Sequence, residues 1–499
     1  VPSNSYDLVV LGDDLAALVC ATLCARRGMR TLVLGDDRPA RYTLGPHKLP
    51  IEPATWPTMP GAAGERILKE LHAELTLRRK LREPKIAAQL VAPDLRIDLG
   101  PDRLASELER ELGAVDGKAC LARWEKTAEL ARLVDPLVAG EHAFPAVGFF
   151  ERREVARLCD RLAAEAGAWW ADAASASGSS LWRHLAAIAL RHPSAPPASI
   201  LRALDTWRVG PSSLKGDGDA IREMLVEKLT TAGGEVRAGR VAEIGVSWGK
   251  ISSVTLANGD DLGAGQVVSS RPPGELAELL GKKAPKRLAE LAESISIVGY
   301  RYTLNIVLDE AGLPEHMAPN VAVIADPLQE PVGDAAFSIH LGDTDDTGRV
   351  IATIAAVLAA DGPIEPERLA HQCTALRAGL WKRLGEVMPF FERHLVLAHS
   401  PFEATPPHVP GGRGSYDVPR HLPLAMAPIW KGQLAQTAEL GGLPYMTGLK
   451  NLTLTGDQVM PVLGVEGALV SGWGAAKVAC AIAGKKKDYL QHEVVGAAS

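Results

Sequence analysis

The stretch from Tyr6 to Leu34 constrains the fold more than any other part of the chain. Tyr6-Asp-Leu-Val-Val-Leu11 is a short apolar run of the kind that makes a buried parallel strand, and Leu15 to Arg27 continues as an Ala- and Leu-rich helix that Gly28 stops. Thr31-Leu-Val-Leu34 supplies a second strand. Strand, helix and strand in this order make a right-handed crossover unit. The expected fold class is therefore α/β, with a Rossmann-like layer at its centre.

A dinucleotide site on such a layer needs a glycine-rich first turn and free helix amides aimed at the pyrophosphate. The turn here reads Gly12-Asp13-Asp14-Leu15-Ala16-Ala17, so only the first glycine of G-x-G-x-x-G is kept. Ala17 is a mild change, because the third position tolerates alanine. Asp14 puts an anion where the backbone should approach the phosphates. Two unit charges about 5 Å apart at an effective dielectric near 20 repel by about 3 kcal/mol. Asp13 and Asp14 also make sense without any nucleotide, as carboxylates that cap a helix start and favour its positive end. Gly35 stands where an acidic residue would bond the ribose, which leaves Asp36 or Asp37 to reach it from a shifted loop.

At 499 residues the chain exceeds what one hydrophobic core usually organises. A net charge of -6, with no basic run longer than Lys485 to Lys487, carries no footprint for nucleic acid. The lysine triplet suits a solvated helix end better than a peripheral membrane contact. Six cysteines without a CxxC pair indicate neither a disulfide framework nor a zinc site, and Cys20 and Cys24 read as core residues. No uninterrupted apolar run reaches the roughly 20 residues of a bilayer span, so a soluble, cytoplasmic protein is expected. Asp343 to Gly348 superficially matches a calcium loop, but Ile354 occupies the place of its last acidic ligand, and a polar turn is expected.

Farther along, residues from about 80 to 200 read as mostly helical, with Ala171 to Ser180 as a loop. Asp219 to Gly234 is a helix, followed by strands at Glu235 to Ala238, Val241 to Trp248 and Ser252 to Leu256 and a hairpin turn at Asn258-Gly259. Val267 and Val268 begin a further strand, and others are expected at Tyr300 to Leu308, Val321 to Ile324 and Val350 to Val357.

Near the end, the strand Leu452 to Thr455 delivers Gly456-Asp457, and Gly464 and Gly467 open a helix whose amides can face a ligand. The segment Asn451 to Ala476 resembles the flavin-closing motif of phytoene desaturase-like and amine oxidase-like FAD-dependent oxidoreductases, although Val462 replaces a common glycine. Three other stretches resemble the same family in order: Pro93 to Pro101, Gly233 through Val241, and Val267 to Ser270.

The resemblance implies an FAD site in which Asp457 bonds the ribityl or pyrophosphate region. By the same resemblance the helix from Val465 presents amides to the isoalloxazine, Val241 meets the adenine and Arg41 serves a phosphate, with Gly12, Gly456, Gly464 and Gly467 allowing close approach. It departs from the family at Asp14, Gly35 and Arg38-Pro-Ala-Arg41, where paired glycines are common. It also implies a discontinuous FAD-binding domain, residues 1–80, 206–275 and 441–485, and an α+β substrate or cap domain, residues 81–205 and 276–440, before a tail over 486–499. Two functions remain open. One is desaturation, saturation or isomerisation of a hydrophobic, isoprenoid-like substrate by bound FAD. The other is a cofactor-free relative that works as a binding, assembly or regulatory subunit with a protein partner. No protein acid, base, nucleophile or metal ligand is singled out.

Overall fold

The computed structural model describes residues 4–35, 39–53, 55–57, 61–82, 84–175, 179–215, 219–412 and 416–485. Two sheets organise them. In the first, Ser5–Leu11 pairs in parallel with Thr31–Gly35 on one side and with Asp261–Ser269 on the other. Glu235–Ala238 extends the sheet beyond Thr31–Gly35, and Leu452–Leu454 adds in parallel to Asp261–Ser269. The antiparallel strands Val241–Ser247 and Lys250–Leu256 complete it. Val267 and Val268 thus end a strand instead of beginning one. Its first half, Asp261 to Gly265, buries Leu262 and Ala264 in alternation, but the two glycines beside them carry no side chain to mark the outward positions.

The apolar stretch Leu8 to Leu11 is buried because helices cover the sheet. The helix Leu15–Arg26 and the closing helix Gly464–Ile482 pack so closely that a Cβ on Gly472 would stand 2.4 Å from the carbonyl oxygen of Ala16. The closing helix is long and apolar enough to cross a membrane, but 78% of its apolar window is buried inside the protein, as befits a core helix. Cys20, Cys24 and Cys480 are buried between these helices as free thiols. Lys485 donates from Nζ to the carbonyls of Arg27 and Gly28, capping the first helix. Lys486 and Lys487, like the rest of the expected tail, lie outside the described residues.

The second sheet is mostly antiparallel and runs in the order Leu395–His399, Ile295–Asp309, Arg349–Ala359, Ala336–Leu341, Asn320–Ile324, Ala88–Ala92, Leu95–Leu99. Pro428–Gly432 also pairs with the long strand Ile295–Asp309. The helix Pro366–Val387 contributes Cys373, Leu376, Leu380 and Leu384 to the core of this sheet. Tyr42, Leu44, Leu49 and Ile51, from the hairpin Arg41–Leu44 with His47–Pro50, reach into the same core. A helical group stands beside it, where Trp124 and Trp182 meet edge to face. Its helix Phe149–Ser175 runs into the segment expected as a loop, since alanine-rich sequence continues a helix at little cost; residues 176–178 lie outside the description. Asp343 to Gly348 is a turn in which Asp345 accepts from the amides of Thr347 and Arg349.

Candidate functional site

The first turn and the closing segment meet at the carboxyl ends of the central strands. Gly12 takes a φ of 109° and Gly456 a φ of 89°, conformations that favour glycine. Between them lies Asp14, the N-cap of the first helix, whose Oδ1 accepts from the amide of Ala17 at 3.0 Å. Its Oδ2 is 3.6 Å from where a Cβ on Gly12 would stand and 3.9 Å from the same point on Gly456. Ser270 completes the contact, with a hydrogen bond to Asp14 and its Oγ 2.1 Å from the Gly12 Cβ position. Burial pushes the Asp14 carboxyl above the usual carboxylate range, and nearby Asp457 adds to the rise, against the lowering bonds from Ser270 and Ala17.

Asp13 points toward the end of the second strand. Its Oδ2 is 2.8 Å from the Cβ position of Gly35 and pairs with Arg222 at 2.5 Å. Asp36, Asp37 and Arg38 lie outside the described residues.

Asp457 is held by Arg301 of the long strand at 2.6 Å, and Arg191 pairs with Glu52 at 3.2 Å. Enclosure works against the charge of Arg301, yet Asp457 and Glu52 hold its pKa above the usual value. Enclosure lowers that of Arg191 despite Glu52. Burial, helped by Arg191, pushes His340 down to about 3, so its ring is neutral. Arg191, Arg301 and His340 are half-buried, and the Asp14 residue is exposed at the end of the first turn.

The other expected residues occupy the closing helix and two separate elements. Gly464, Val465 and Gly467 form the first turn of the closing helix, where a Cβ on Gly467 would stand 2.8 Å from the Met460 carbonyl oxygen. Glu466, in the same turn, is gripped by Arg202 through two hydrogen bonds. Ser471, one turn on, accepts from the Gly456 amide at 2.8 Å and so fixes Gly456 to the helix. Val241 begins a meander strand opposite Leu256, and Arg41 begins the hairpin against Pro50. Arg301, Arg191, Glu52 and His340 carried no sequence signal of their own. The one hint was a charged residue inside the otherwise apolar strand around Tyr302 and Leu304.

No family model matches the sequence, and no curated protein does. Solved structures do match. An oxidoreductase from Methanosarcina mazei is 12% identical over 94% of this chain and 99% of its own, with a TM-score of 0.59. Putrescine oxidase bound to putrescine is 14% identical over 96% and 99%, with a TM-score of 0.58. The fold is that of the FAD-binding oxidoreductases. The same frame serves a Rab GDI from Plasmodium falciparum, 10% identical over 95% and 98%, with a TM-score of 0.51. At such identities the likeness is one of fold, and fold alone does not carry chemistry.

The chain's own residues do not fit the dinucleotide that this fold implies. A pyrophosphate needs the amides at the start of the first helix and the gap between the two glycine turns. The Asp14 carboxylate takes an amide and stands in that gap. Asp13 fills the space over Gly35, and Asp457 is already paired with Arg301. The Asp14 carboxylate thus stands where the phosphates would approach the turn, and Asp13 lies against Gly35.

Proposed function

We propose that this chain is a dinucleotide-free form of the flavoprotein fold and acts as a ligand-binding or assembly subunit. The observation that carries this reading is the Asp14 carboxylate, bonded to the Ala17 amide and standing between Gly12 and Gly456. An anion built into the turn satisfies the helix start without a phosphate, and it repels one. Arg202 and Ser471 pin the closing segment from within the protein. The layer is therefore complete without a cofactor to bridge it.

The test is uptake of FAD. Purified protein is expected to be colourless and to leave the fluorescence of added FAD unquenched. A visible flavin band, released as FAD on denaturation, refutes the reading and restores flavin chemistry on a hydrophobic substrate. If Asp14 is the obstacle, Asp14→Gly gains FAD affinity over wild type. That variant keeps most of the cap, because glycine at this position costs only a few tenths of a kcal/mol.

A further inference from the structure

Phe149 and Phe150 stand at the start of the helix Phe149–Ser175, 72% and 83% exposed, with their rings edge to face and the centroids 5.6 Å apart. Neither ring belongs to a core of the described residues. The helix is held by its opposite side, where Val155, Cys159, Leu162 and Ala166 enter the core of the first sheet. Its start is fixed as well. Glu151 accepts from the Gly148 amide at 3.0 Å, and the Phe144 carbonyl just before it accepts from the buried Tyr445 hydroxyl at 2.8 Å. A single exposed apolar side chain needs no explanation, but two adjacent large ones on a fixed base make a patch.

The charges around the rings say what suits that patch. At about 100° per residue, Arg153 and Arg157 project between the two ring directions, one and two turns farther along the helix. Both are exposed, and neither has an ion pair among the described residues. Glu151 and Glu154 flank the His142 ring at 3.5 and 3.4 Å, Glu165 is paired with Arg161 at 2.7 Å, and Asp160 stands a turn beyond Arg157. The outer face of the first turns thus joins a phenylalanine pair to two unpaired guanidinium groups, on a chain whose net charge is -6.

A protein pocket deep enough for both rings would also desolvate the arginines between them and would need acids fixed opposite each one. A nucleic acid needs a longer basic track than two arginines. The boundary layer of an anionic bilayer meets neither difficulty. Rings lie at the level of the upper acyl chains while arginine heads stay wet among the phosphates. We infer that the face formed by Phe149, Phe150, Arg153 and Arg157 docks the protein on an anionic phospholipid surface. Two rings and two charges are fewer than a whole amphipathic helix supplies, so the contact is shallow and reversible. It does not depend on whether a dinucleotide is bound.

The test is co-sedimentation with vesicles of phosphatidylcholine alone and of phosphatidylcholine with phosphatidylserine, for the wild type, the pair Phe149→Ser with Phe150→Ser, and the pair Arg153→Gln with Arg157→Gln. All four side chains are on the exposed face, so both variants should keep the wild-type urea midpoint, which shows that they fold. The wild type is expected to bind the anionic vesicles about tenfold more tightly than the neutral ones. The serine pair should lose about tenfold or more on both. The glutamine pair should lose about tenfold on anionic vesicles alone and no longer distinguish the two. A wild type that ignores both vesicles, variants that bind as the wild type does, or rings that prove by sedimentation velocity to join two copies in place of binding lipid would overturn the inference.

Discussion

Replacing Arg202 tests whether the closing helix is held by a charge network. Its Nε and Nη2 donate to the two Glu466 oxygens at 2.9 and 2.7 Å, Nη2 reaches Asp135 at 2.5 Å, and Nη1 reaches the Ala131 carbonyl at 2.9 Å. The Arg202 side chain is 13% exposed and that of Glu466 8%, so neither can turn to water. Arg202→Met leaves Glu466 buried without its counterion and beside Asp135. Removing one partner of a buried pair costs about 3–5 kcal/mol. Glu466→Gln should cost less, about 1–2 kcal/mol, since Asp135 still pairs with the arginine. Arg202→Met with Glu466→Leu removes both buried charges and should recover much of the loss. Hydrogen exchange over Gly464–Ile482 reads this locally, and at about 1.4 kcal/mol per decade the single change should cut protection by roughly two to three and a half decades. If Arg202→Met changes protection less than tenfold, or if the double variant is weaker than that single one, the network does not hold the helix.

Asp14→Asn should raise stability slightly near neutral pH, because asparagine caps as well as aspartate and removes the repulsion from nearby Asp457. The raised pKa of Asp14 means that its penalty is full above the folded-state value, shrinks as pH falls from there toward the unfolded value and is gone below it, so the two denaturation midpoints should converge in acid. His399 is lowered by burial from 6.5 to about 4. Its neutral form contributes stability present above about pH 6.5 and lost as pH falls toward 4, a loss of about 3 kcal/mol; His399→Asn should remove close to one proton from the slope of stability against pH over that window. Gly472→Ala places a Cβ 2.4 Å from the Ala16 carbonyl oxygen and should cost about 1–3 kcal/mol, read as a lower urea midpoint. An unchanged midpoint would mean that the two helices move apart freely.

The parts of the fold legible in the sequence were those written in local pattern. Leu8 to Leu11 and Thr31 to Leu34 are apolar runs bounded by glycine, and Asn258-Gly259 marks its hairpin by composition. The start of Asp261–Ser269 was not legible, because glycines alternate with Leu262 and Ala264 there and the segment pairs with the sheet's outer meander. At the site, Gly12 and Gly456 could be read because their turn conformations favour glycine. Arg301, Arg191 and Glu52 could not. They come from a strand and two loops that only the tertiary fold brings together, and Arg191 sits at a φ of 48° that its sequence does not announce. The sequence showed that Asp14 was a problem for a phosphate. Which atoms it displaces became visible only with Gly456 and Ser270 beside it.

The closing helix lies against the first one, and Leu452–Leu454 fills the sheet next to Asp261–Ser269. The layer begun by the earliest strand therefore stays unfinished until sequence from the other end has been made. During synthesis the apolar face of Leu15–Arg26 has no permanent neighbour at Ala16 and Val19. Such a long-range partnership is slow to form and leaves sticky surface exposed in the meantime. A nascent chain arrested before Gly464 should engage chaperones, and release of the last helix should be the step that sets it free.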